Sequence, residues 1–350
     1  MAVDERKLDL RVSVGLALAP AHGEGPRLLD RAGAATRSVQ RSGGDAHAVF
    51  DPQIEAAHND ELSIARELQE AVAKRQLELF FQPQIDTRRL ELRAVEALLR
   101  WRHPALGLVS PARFIPIAER HGLIDALGQW VLERALKQAA VWRAAGLDMH
   151  VAVNVAGAQF RKDDFAARLE RSLKTHGVPA AALVCEIDEA VALEDTVATR
   201  RAFVRLKKLG VRIAIGDFAG HPAGLAALES LPVQEVKIAR ALVAALPGDG
   251  EARRAVEQIV AASRTRELRV VAEGVETEAQ RDQVVRLGCD EVQGYLFAKP
   301  MSARALGIWA VDANRHLAQT FPPSQFKETQ AYDGNALQRA FAPTRIVPRR

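Results

Sequence analysis

Carboxylate, amide and lysine side chains stand at the ends of several apolar, strand-like runs in this 350-residue sequence. A helical pattern follows each of these runs, which is the alternation of a parallel α/β fold. Because the carboxyl ends of parallel barrel strands meet at one mouth, such side chains would converge there and could build a metal site. The residues concerned are Glu96, Asn154, Glu186, Asp217, Lys237 and Glu273.

The run 95–101 places a carboxylate and a guanidinium inside an otherwise apolar strand. Strand side chains alternate between faces, so Glu96, Leu98 and Arg100 share one face. A single Glu–Arg pair of this kind is more often a solvated surface pair than a functional one. The recurrence of acidic and amide residues downstream favours the functional interpretation.

Strand–helix alternation extends over most of the chain and predicts a fold of the α/β class, a (β/α)8 TIM-like barrel over residues 76–314. Strands are predicted at 76–86, 90–101, 149–155, 182–188, 211–217, 233–238, 268–272 and 291–295. Helices are predicted from 110 and at 123–145, 163–175, 195–209, 223–229, 251–266, 277–287 and 302–314.

The composition limits the class of protein. Hydrophobic residues make up 48% of the chain, which is ordinary for a globular protein with a sizeable core. There is no apolar run of about 18 residues and no signal-peptide pattern at Met1, so we expect a cytoplasmic protein without a membrane segment. Cys185 and Cys289 are expected to be buried free thiols. The net charge of +4 suits an anionic ligand, although it is also usual for a soluble surface.

Short motifs follow one another in order between residues 79 and 308. They are Phe81-Gln82-Pro83-Gln84, Glu96-Ala97-Leu98, Arg100-Trp101-Arg102-His103-Pro104, Val153-Asn154-Val155, Cys185-Glu186-Ile187, Val236-Lys237-Ile238, Ala272-Glu273-Gly274-Val275-Glu276-Thr277 and Gln293-Gly294-Tyr295. Their order and residue types resemble the EAL family, the cyclic di-GMP phosphodiesterases and their non-catalytic relatives. So many matches in one order make a specific signal.

The resemblance implies a role for each candidate residue. Mg²⁺ or Mn²⁺ would be the cofactor, because both ions prefer oxygen ligands and two such ions can activate water and neutralise a phosphodiester. The implied metal ligands are Glu96, Asn154, Glu186 and Asp217. The implied catalytic residues are Glu273 and Lys237. The implied contacts to cyclic di-GMP are Gln82, Leu98, Arg100 and Gln293.

Each candidate also has a structural interpretation. Asn154 could be a hydrogen-bonded turn amide, and Lys237 could be an ordinary exposed lysine. Glu189 and Glu276 could be surface charges. Taken singly these interpretations are at least as common as the functional ones, but the joint order of the residues favours function.

Residues 216–221 depart from the family pattern. The family usually reads Asp-Asp-Phe-Gly-Thr-Gly here, whereas this chain reads Gly216-Asp217-Phe218-Ala219-Gly220-His221. Gly216 therefore replaces the aspartate that would bridge the two ions. Asp188 and Ala239 replace a usual threonine and aspartate. Changes around metal ligands typically cost about 10–100-fold, and a lost ligand between two dications should cost more.

These features predict a protein that binds cyclic di-GMP with hydrolysis weak or lost and with as few as one ion bound. The alternative is an active metal-dependent phosphodiesterase that yields the linear dinucleotide, because the other candidate ligands survive. A third interpretation, an interaction module with a closed pocket, is disfavoured by Arg100 and Gln293. A homodimer is compatible with the resemblance, and no nucleic-acid polymer is expected as a partner. We expect Gly216→Asp to raise turnover.

The two ends of the chain fall outside the barrel. Residues 1–50 predict a β-α-β unit whose helix runs from about Pro26 to Arg41. The unit resembles the last part of a GGDEF domain, the diguanylate cyclase fold, without its signature, and we interpret it as a truncated remnant. Residues 51–75 predict a linker helix capped by Asn59 or Asp60. The polar tail 315–350 is predicted to be disordered.

Overall fold

The computed structural model describes residues 2–3, 6–7, 12–41, 44–194 and 196–311. The chain divides into two compact units, one of the residues up to 74 with 112–121, and one of 75–111 with the residues from 122 onward. The predicted disordered tail 315–350 lies outside the described residues. Within those residues, no helix is long and apolar enough to cross a membrane.

The elements alternate along the chain. The strands are β1 (Ala2–Val3), β2 (Arg6–Lys7), β3 (Val14–Leu16), β4 (His47–Val49), β5 (Leu77–Asp86), β6 (Leu92–His103), β7 (Gly107–Val109), β8 (His150–Asn154), β9 (Leu183–Asp188), β10 (Arg212–Phe218), β11 (Glu235–Ile238), β12 (Arg269–Ala272), β13 (Glu291–Val292) and β14 (Met301–Ser302). The helices are α1 (Pro26–Arg41), α2 (Pro52–Ala71), α3 (Pro111–Arg120), α4 (Ile124–Ala144), α5 (Gly157–Phe160), α6 (Phe165–His176), α7 (Glu189–Ala192), α8 (Val197–Leu209), α9 (Pro222–Leu228), α10 (Arg240–Ala245), α11 (Gly250–Arg264), α12 (Glu278–Leu287) and α13 (Ala303–Val311), with a short 3₁₀ turn at Ala180–Ala182.

The strands β5, β6 and β8–β13 close into an eight-stranded barrel, as predicted. Neighbouring strands from β6 through β8 to β13 are parallel, whereas β5 runs antiparallel to both of its neighbours. The reason is the connection: the turn between β5 and β6 is far shorter than the dozen or more residues that a parallel crossover needs. The barrel thus begins with a hairpin and continues as strand–helix units.

The outer face of the barrel carries the apolar core. Outward-facing strand residues such as Val95, Val153, Ile187 and Val236 are buried, because the surrounding helices cover them. Both cysteines are free and buried, as predicted, and burial raises the pKa of Cys185 to about 12. The apolar residues therefore point outward, and the polar candidate residues are left to fill the barrel interior.

The first unit contains the predicted β-α-β arrangement in its described part. Strands β3 and β4 pair in parallel, and α1 spans the predicted residues. Its buried cluster is small and consists of Ala34, Ala35 and Phe50. The prediction that Asn59 or Asp60 caps the next helix is wrong: Asp51 accepts a hydrogen bond from the Gln53 amide and α2 begins at Pro52. An aspartate followed by proline at the first helical position is a strong start signal.

Candidate metal and nucleotide site

The candidate residues converge at one mouth of the barrel, where the parallel strands end. They line a cleft of about 350 Å³, the mouth cleft, which is within the usual range for small-molecule sites. Its walls include nine of the ten predicted site residues, namely Gln82, Glu96, Leu98, Arg100, Asn154, Glu186, Asp217, Glu273 and Gln293. The tenth, Lys237, is fully buried among three of the cleft's carboxylates.

Lys237 is the centre of a compact ionic group, the Lys237 cluster, formed with Glu96, Glu186 and Glu273. Its ammonium lies 2.6 Å from Glu186 Oε2, 2.6 Å from Glu273 Oε1 and 3.4 Å from Glu96 Oε2. The side chain is 0% exposed, which contradicts the interpretation of Lys237 as an ordinary exposed lysine. One positive charge thus faces three carboxylates in a buried space.

The pKa values in the Lys237 cluster follow from this imbalance of charge. Burial raises the pKa of Glu186 well above its usual value; Lys237 lowers this pKa, and repulsion from Glu96 and Glu273 raises it again. Burial likewise raises the pKa of Glu273. Burial alone would lower the pKa of Lys237, but its three carboxylate neighbours have the larger effect, and the pKa of Lys237 lies well above its usual value. The group therefore has more carboxylates than its own cation can compensate.

Glu96 is held by a chain of amides, which explains why its pKa shifts in the opposite direction to those of Glu186 and Glu273. Asn154 Nδ2 donates to Glu96 Oε1 at 2.7 Å, and Gln293 Nε2 donates to Glu96 Oε2 at 2.6 Å. Gln84 in turn donates to Gln293 Oε1 at 2.8 Å. Burial raises the pKa of Glu96, but Lys237 and the amide donors together lower it below its usual value. Glu96 is thus fixed as a carboxylate.

Arg100 lies in the same cleft without a carboxylate partner. Its Nη1 donates to the carbonyl of Leu99 at 2.9 Å, and its guanidinium stands 5.7 Å from the ring centre of Phe80. It forms no ion pair within the described part of the chain. Burial lowers the pKa of Arg100 from its usual value, yet arginine remains protonated in proteins. A charged, incompletely hydrogen-bonded guanidinium is suited to a phosphate oxygen.

Strand β10 brings Asp217 to the cleft through a bulge. The register with β11 shifts between Ile215 and Phe218, and Asp217 has a left-handed φ of 51°. A regular strand would turn residue 217 away from the face of residue 216. The bulge aims Asp217 at the mouth instead, where its charge repels Asp188 and Glu273.

Gly216 leaves space that Glu186 uses. A Cβ placed on Gly216 would lie 2.7 Å from Glu186 Oε1 and 3.1 Å from Glu186 Cγ. Gly216 is not among the residues with a left-handed φ, so its backbone accepts a side chain. An aspartate at 216 would nevertheless displace Glu186 from its position beside Lys237. The predicted gain from Gly216→Asp therefore depends on movement of Glu186, which the sequence did not indicate.

The donor set of the cleft fits a divalent cation. One ligand oxygen from each of Glu96, Glu186 and Glu273 lies within 4.8 Å of the others. Carboxylate and amide oxygens are the ligands that Mg²⁺ and Mn²⁺ prefer, and the surplus negative charge favours a dication. Glu273 thus joins Glu96 and Glu186 in this oxygen group, whereas Asn154 is engaged with Glu96 through its amide nitrogen.

The cleft also contains residues that the sequence analysis did not assign to it. Asp188, Arg240, Glu276 and Tyr295 line it as well. Strand parity could have indicated Asp188, which shares its face of β9 with Glu186. Arg240 follows a strand end, but only the folded loop shows that it pairs with Glu276 at 2.6 Å. Tyr295 is 51% exposed, and a tyrosine in an identified motif could have been named.

Comparisons with known proteins agree with this architecture. A family model described as EAL domain matches residues 65–300. The bifunctional diguanylate cyclase/cyclic di-GMP phosphodiesterase MucR of Pseudomonas aeruginosa is 35% identical over 306 residues, which are 87% of this chain and 45% of MucR. The cyclic di-GMP phosphodiesterase NbdA of the same organism is 35% identical over 308 residues, 87% of this chain and 39% of NbdA. This chain therefore spans less than half the length of either relative.

Solved structures show the same fold. The PaMucR phosphodiesterase in complex with c-di-GMP has a TM-score of 0.67 and 38% identity, covering 70% of this chain and 99% of that one. The EAL enzyme Bd1971 with cAMP and cyclic di-GMP bound has a TM-score of 0.70 and 27% identity, and the match covers 81% of this chain and 75% of that one.

The closed barrel with its acidic mouth defines a barrel protein of the EAL phosphodiesterase type. The chain belongs to the EAL-domain family.

Proposed function

We propose that this chain binds cyclic di-GMP in the mouth cleft and hydrolyses it weakly. The observation that carries the proposal is the position of Arg100 in the same cleft as the Lys237 cluster. A phosphodiester can then meet a guanidinium on one side and a carboxylate-held dication on the other. Similarity to proteins that carry cyclic di-GMP in their solved structures supports this ligand.

The chain's own residues can orient the dinucleotide. Arg100 would bind a phosphate oxygen through charge-assisted hydrogen bonds. Gln82 Nε2 is directed to the carbonyl of Ala298 at 3.0 Å, which fixes its amide at the cleft wall. Leu98 offers an apolar surface beside it, and Tyr295 offers a half-exposed ring on which a guanine could stack.

Glu96, Glu186 and Glu273, with Asn154 and Asp217 nearby, would hold the cation, which we propose to be Mg²⁺ or Mn²⁺. When bound, such ions neutralise phosphate charge and make a water more acidic. Lys237 holds Glu186 and Glu273 in position through its 2.6 Å contacts. The amide groups of Asn154 and Gln293, which donate to Glu96, hold that carboxylate in place.

We attribute weak turnover to Gly216. The bulge brings one carboxylate of β10 into the cleft, that of Asp217, and leaves position 216 without one. A cation pair that lacks a shared carboxylate is held less firmly, and hydrolysis depends on clamping both the attacking and the leaving oxygens. The alternative, an efficient phosphodiesterase, is favoured by the intact contacts of Lys237 with Glu186 and Glu273.

Isothermal calorimetry tests the binding half of this proposal. Cyclic di-GMP is titrated into the protein with EDTA and, separately, with Mg²⁺, and linear pGpG serves as the comparison ligand. We expect saturable binding of one cyclic dinucleotide per chain, tighter with Mg²⁺ than with EDTA and tighter than that of the linear product. The absence of saturable binding in both conditions would contradict the proposal.

A further inference from the structure

Helix α8 presents a strongly basic face on the outside of the barrel unit. Its 13 residues include five cationic side chains and no carboxylate, the cations being Arg200, Arg201, Arg205, Lys207 and Lys208. The inner face of the helix, with Ala202, Phe203 and Leu206, is buried. All five cations are exposed, so the positive charge of α8 is displayed entirely to the surroundings of the protein.

Two exposed valines lie among these cations. Val197 is 57% exposed and Val204 is 66% exposed. Side chains three or four positions apart lie on the same side of a helix, so Val197, Arg201, Val204 and Lys208 form one stripe. Apolar and cationic side chains therefore alternate along the exposed side of α8, although its packing on the barrel uses the opposite side.

Two neighbouring hollows follow this stripe. The larger has a volume of about 590 Å³, with Phe203, Leu231 and Pro232 as its apolar part and Lys207 and Lys208 as its basic part. The smaller has a volume of about 280 Å³, is lined by residues of α8 alone and shares lining residues with the first. We call the exposed side of α8 together with residues 230–232 the α8 surface. None of its residues lines the mouth cleft.

Most of this charge is not neutralised by the protein itself. Arg201, Lys207 and Lys208 form no ion pair and no side-chain hydrogen bond within the part of the chain that the structure describes. Arg205 differs, since it pairs with Asp163 at 3.0 Å. A partner of the α8 surface must therefore bring negative charge for the cations and apolar groups for the valines and the hollows.

We propose that the α8 surface docks on an anionic phospholipid membrane. Lipid phosphates bind Arg201, Lys207 and Lys208, and the glycerol and upper acyl groups contact Val197 and Val204. A cluster of four to eight Lys and Arg residues on an amphipathic helix is the usual signal for binding anionic lipids. The surface lies outside the mouth cleft, so this inference goes beyond the proposed function and does not depend on it.

A phospholipid fits the α8 surface better than other anionic partners do. Single-stranded nucleic acid is bound by stacking on exposed aromatic rings, whereas Phe203, the aromatic residue of this surface, is 4% exposed. Lys207 and Lys208 carry compact charges on flexible stems, which suits a fluid layer of phosphates better than the fixed carboxylates of a protein segment. The apolar hollow beside these lysines matches a molecule that joins a phosphate to an apolar chain.

Co-sedimentation with sucrose-loaded vesicles tests the proposal. One set of vesicles is phosphatidylcholine alone, and the other is three parts phosphatidylcholine to one part phosphatidylglycerol. We expect the unmodified protein to bind only the anionic vesicles, and to bind them less as NaCl is raised from about 0.1 M to about 0.5 M. Each Lys or Arg near an anionic leaflet strengthens binding about fivefold, so the combined variant Arg201→Gln/Lys207→Gln/Lys208→Gln should bind about a hundredfold more weakly.

A second combined variant, Arg88→Gln/Arg89→Gln/Arg286→Gln, is the matched control. It removes the same charge from exposed positions on the turn between β5 and β6 and on α12, and it should bind the anionic vesicles as the unmodified protein does. Circular dichroism melting establishes folding of each variant, and Lys208→Gln alone, with an expected loss of about fivefold, replaces a combined variant that does not fold. Equal losses in the two combined variants would overturn the proposal, as would unmodified protein that does not sediment with anionic vesicles or sediments equally with neutral ones.

Discussion

At the residue scale, the site depends on the buried ammonium group of Lys237. Lys237 contributes its positive charge to Glu186, Glu273 and Glu96, and its side chain is inaccessible to water. Removal of one member of a buried ionic group leaves uncompensated charge, which typically costs about 3–5 kcal/mol. The lysine is therefore as much a structural requirement of the mouth cleft as a candidate catalytic group.

Lys237→Met should destabilise the protein by about 3 kcal/mol or more in EDTA, because three carboxylates then lack their cation. Mn²⁺ should raise the melting temperature of the variant more than that of the unmodified protein, since a dication replaces the missing charge. Urea unfolding in EDTA and melting curves with Mn²⁺ measure the two effects. Lys174→Met removes an exposed lysine that pairs with Glu170 on one helix, and should change stability by less than about 0.5 kcal/mol. Equal effects of the two substitutions would contradict this account.

Arg100→Ala should weaken cyclic di-GMP binding tenfold or more. Charge-assisted hydrogen bonds of a guanidinium to phosphate contribute about 1.5–3 kcal/mol each in a partly dry cleft. Calorimetry with Mg²⁺ gives the affinity, and chromatography afterwards checks that the ligand is intact. Arg102→Ala is the matched control, because Arg102 is exposed and already pairs with Glu78 at 2.7 Å. Unchanged affinity in Arg100→Ala would place the phosphate elsewhere.

The residues of the site could largely be identified from sequence, whereas their contacts could not. Glu96, Glu186 and Lys237 occupy recognisable motifs, and strand parity places Glu96 and Arg100 on one face. The full burial of Lys237 follows from the closure of the barrel, which no local pattern contains. The sequence shows Asp188 only as a departure from the family pattern, because its pairing with Gly216 depends on the register between β9 and β10.

At the element scale, the bulge in β10 decides where its carboxylate points. Asp217 adopts φ of 51°, a conformation that aspartate, asparagine and glycine tolerate better than other residues. Gly216 precedes it with a backbone open to any residue, so the strain of the turn falls on position 217. The predicted strand 211–217 could not reveal this, since bulges depend on the pairing partner.

Asp217→Gly should therefore be more stable than Asp217→Ala by about 1 kcal/mol, because alanine pays for the left-handed backbone and glycine does not. Both variants lose the carboxylate, so the difference isolates the backbone. Urea denaturation of the two variants under the same conditions measures it. Equal or greater stability of Asp217→Ala would mean that the bulge relaxes when the aspartate is removed.

Element boundaries were predicted best where the flanking residues carry a clear signal. Helix α1 begins at Pro26 and ends at Arg41 as predicted. The short helices α5, α7 and α10 each begin within three residues of a strand end, and the sequence does not predict them, because four to six residues are too few for a periodic pattern. These helices form part of the loops at the barrel mouth. The sequence therefore identified the residues of the site but not the loop conformations that position them.

At the scale of the whole molecule, the barrel interior has two charged ends separated by small apolar residues. Ala152, Val184 and Ala214 form a buried cluster in the middle. Beyond it, at the amino ends of the parallel strands, Arg269 donates to Glu291 at 2.6 Å and to Asp86 at 3.1 Å. The strand–helix pattern predicted the barrel, but a second charged layer is visible only once the strands are in register.

Glu235 in this layer should make stability depend on pH. Burial raises its pKa to about 7, repulsion from Glu291 adds to this, and Lys237, Arg212 and Arg269 oppose it. The folded state therefore keeps a proton that the unfolded chain loses near pH 4.5, so Glu235 lowers stability progressively from about pH 4.5 to pH 7. Glu235→Gln should be more stable than the unmodified protein by up to about 3 kcal/mol at pH 8 and by nothing below pH 4.5.

Urea unfolding in EDTA across pH 5 to 8 measures this difference. Glu229→Gln is the control, because Glu229 is exposed, and it should change the stability by less than about 0.5 kcal/mol. A gain for Glu235→Gln that is the same at every pH would show that the carboxyl group does not titrate with folding.

The central claim is that the mouth cleft binds cyclic di-GMP and turns it over weakly because position 216 lacks a carboxylate. Single-turnover product analysis tests it most directly: excess protein is mixed with cyclic di-GMP and Mg²⁺ or Mn²⁺, and the same samples are assayed for bound nucleotide and for linear dinucleotide over time. We predict saturated binding with slow, metal-dependent formation of the linear product, absent in EDTA and in Glu96→Ala. Rapid and complete conversion by the unmodified protein, abolished by Glu96→Ala, would contradict this account and establish an efficient phosphodiesterase.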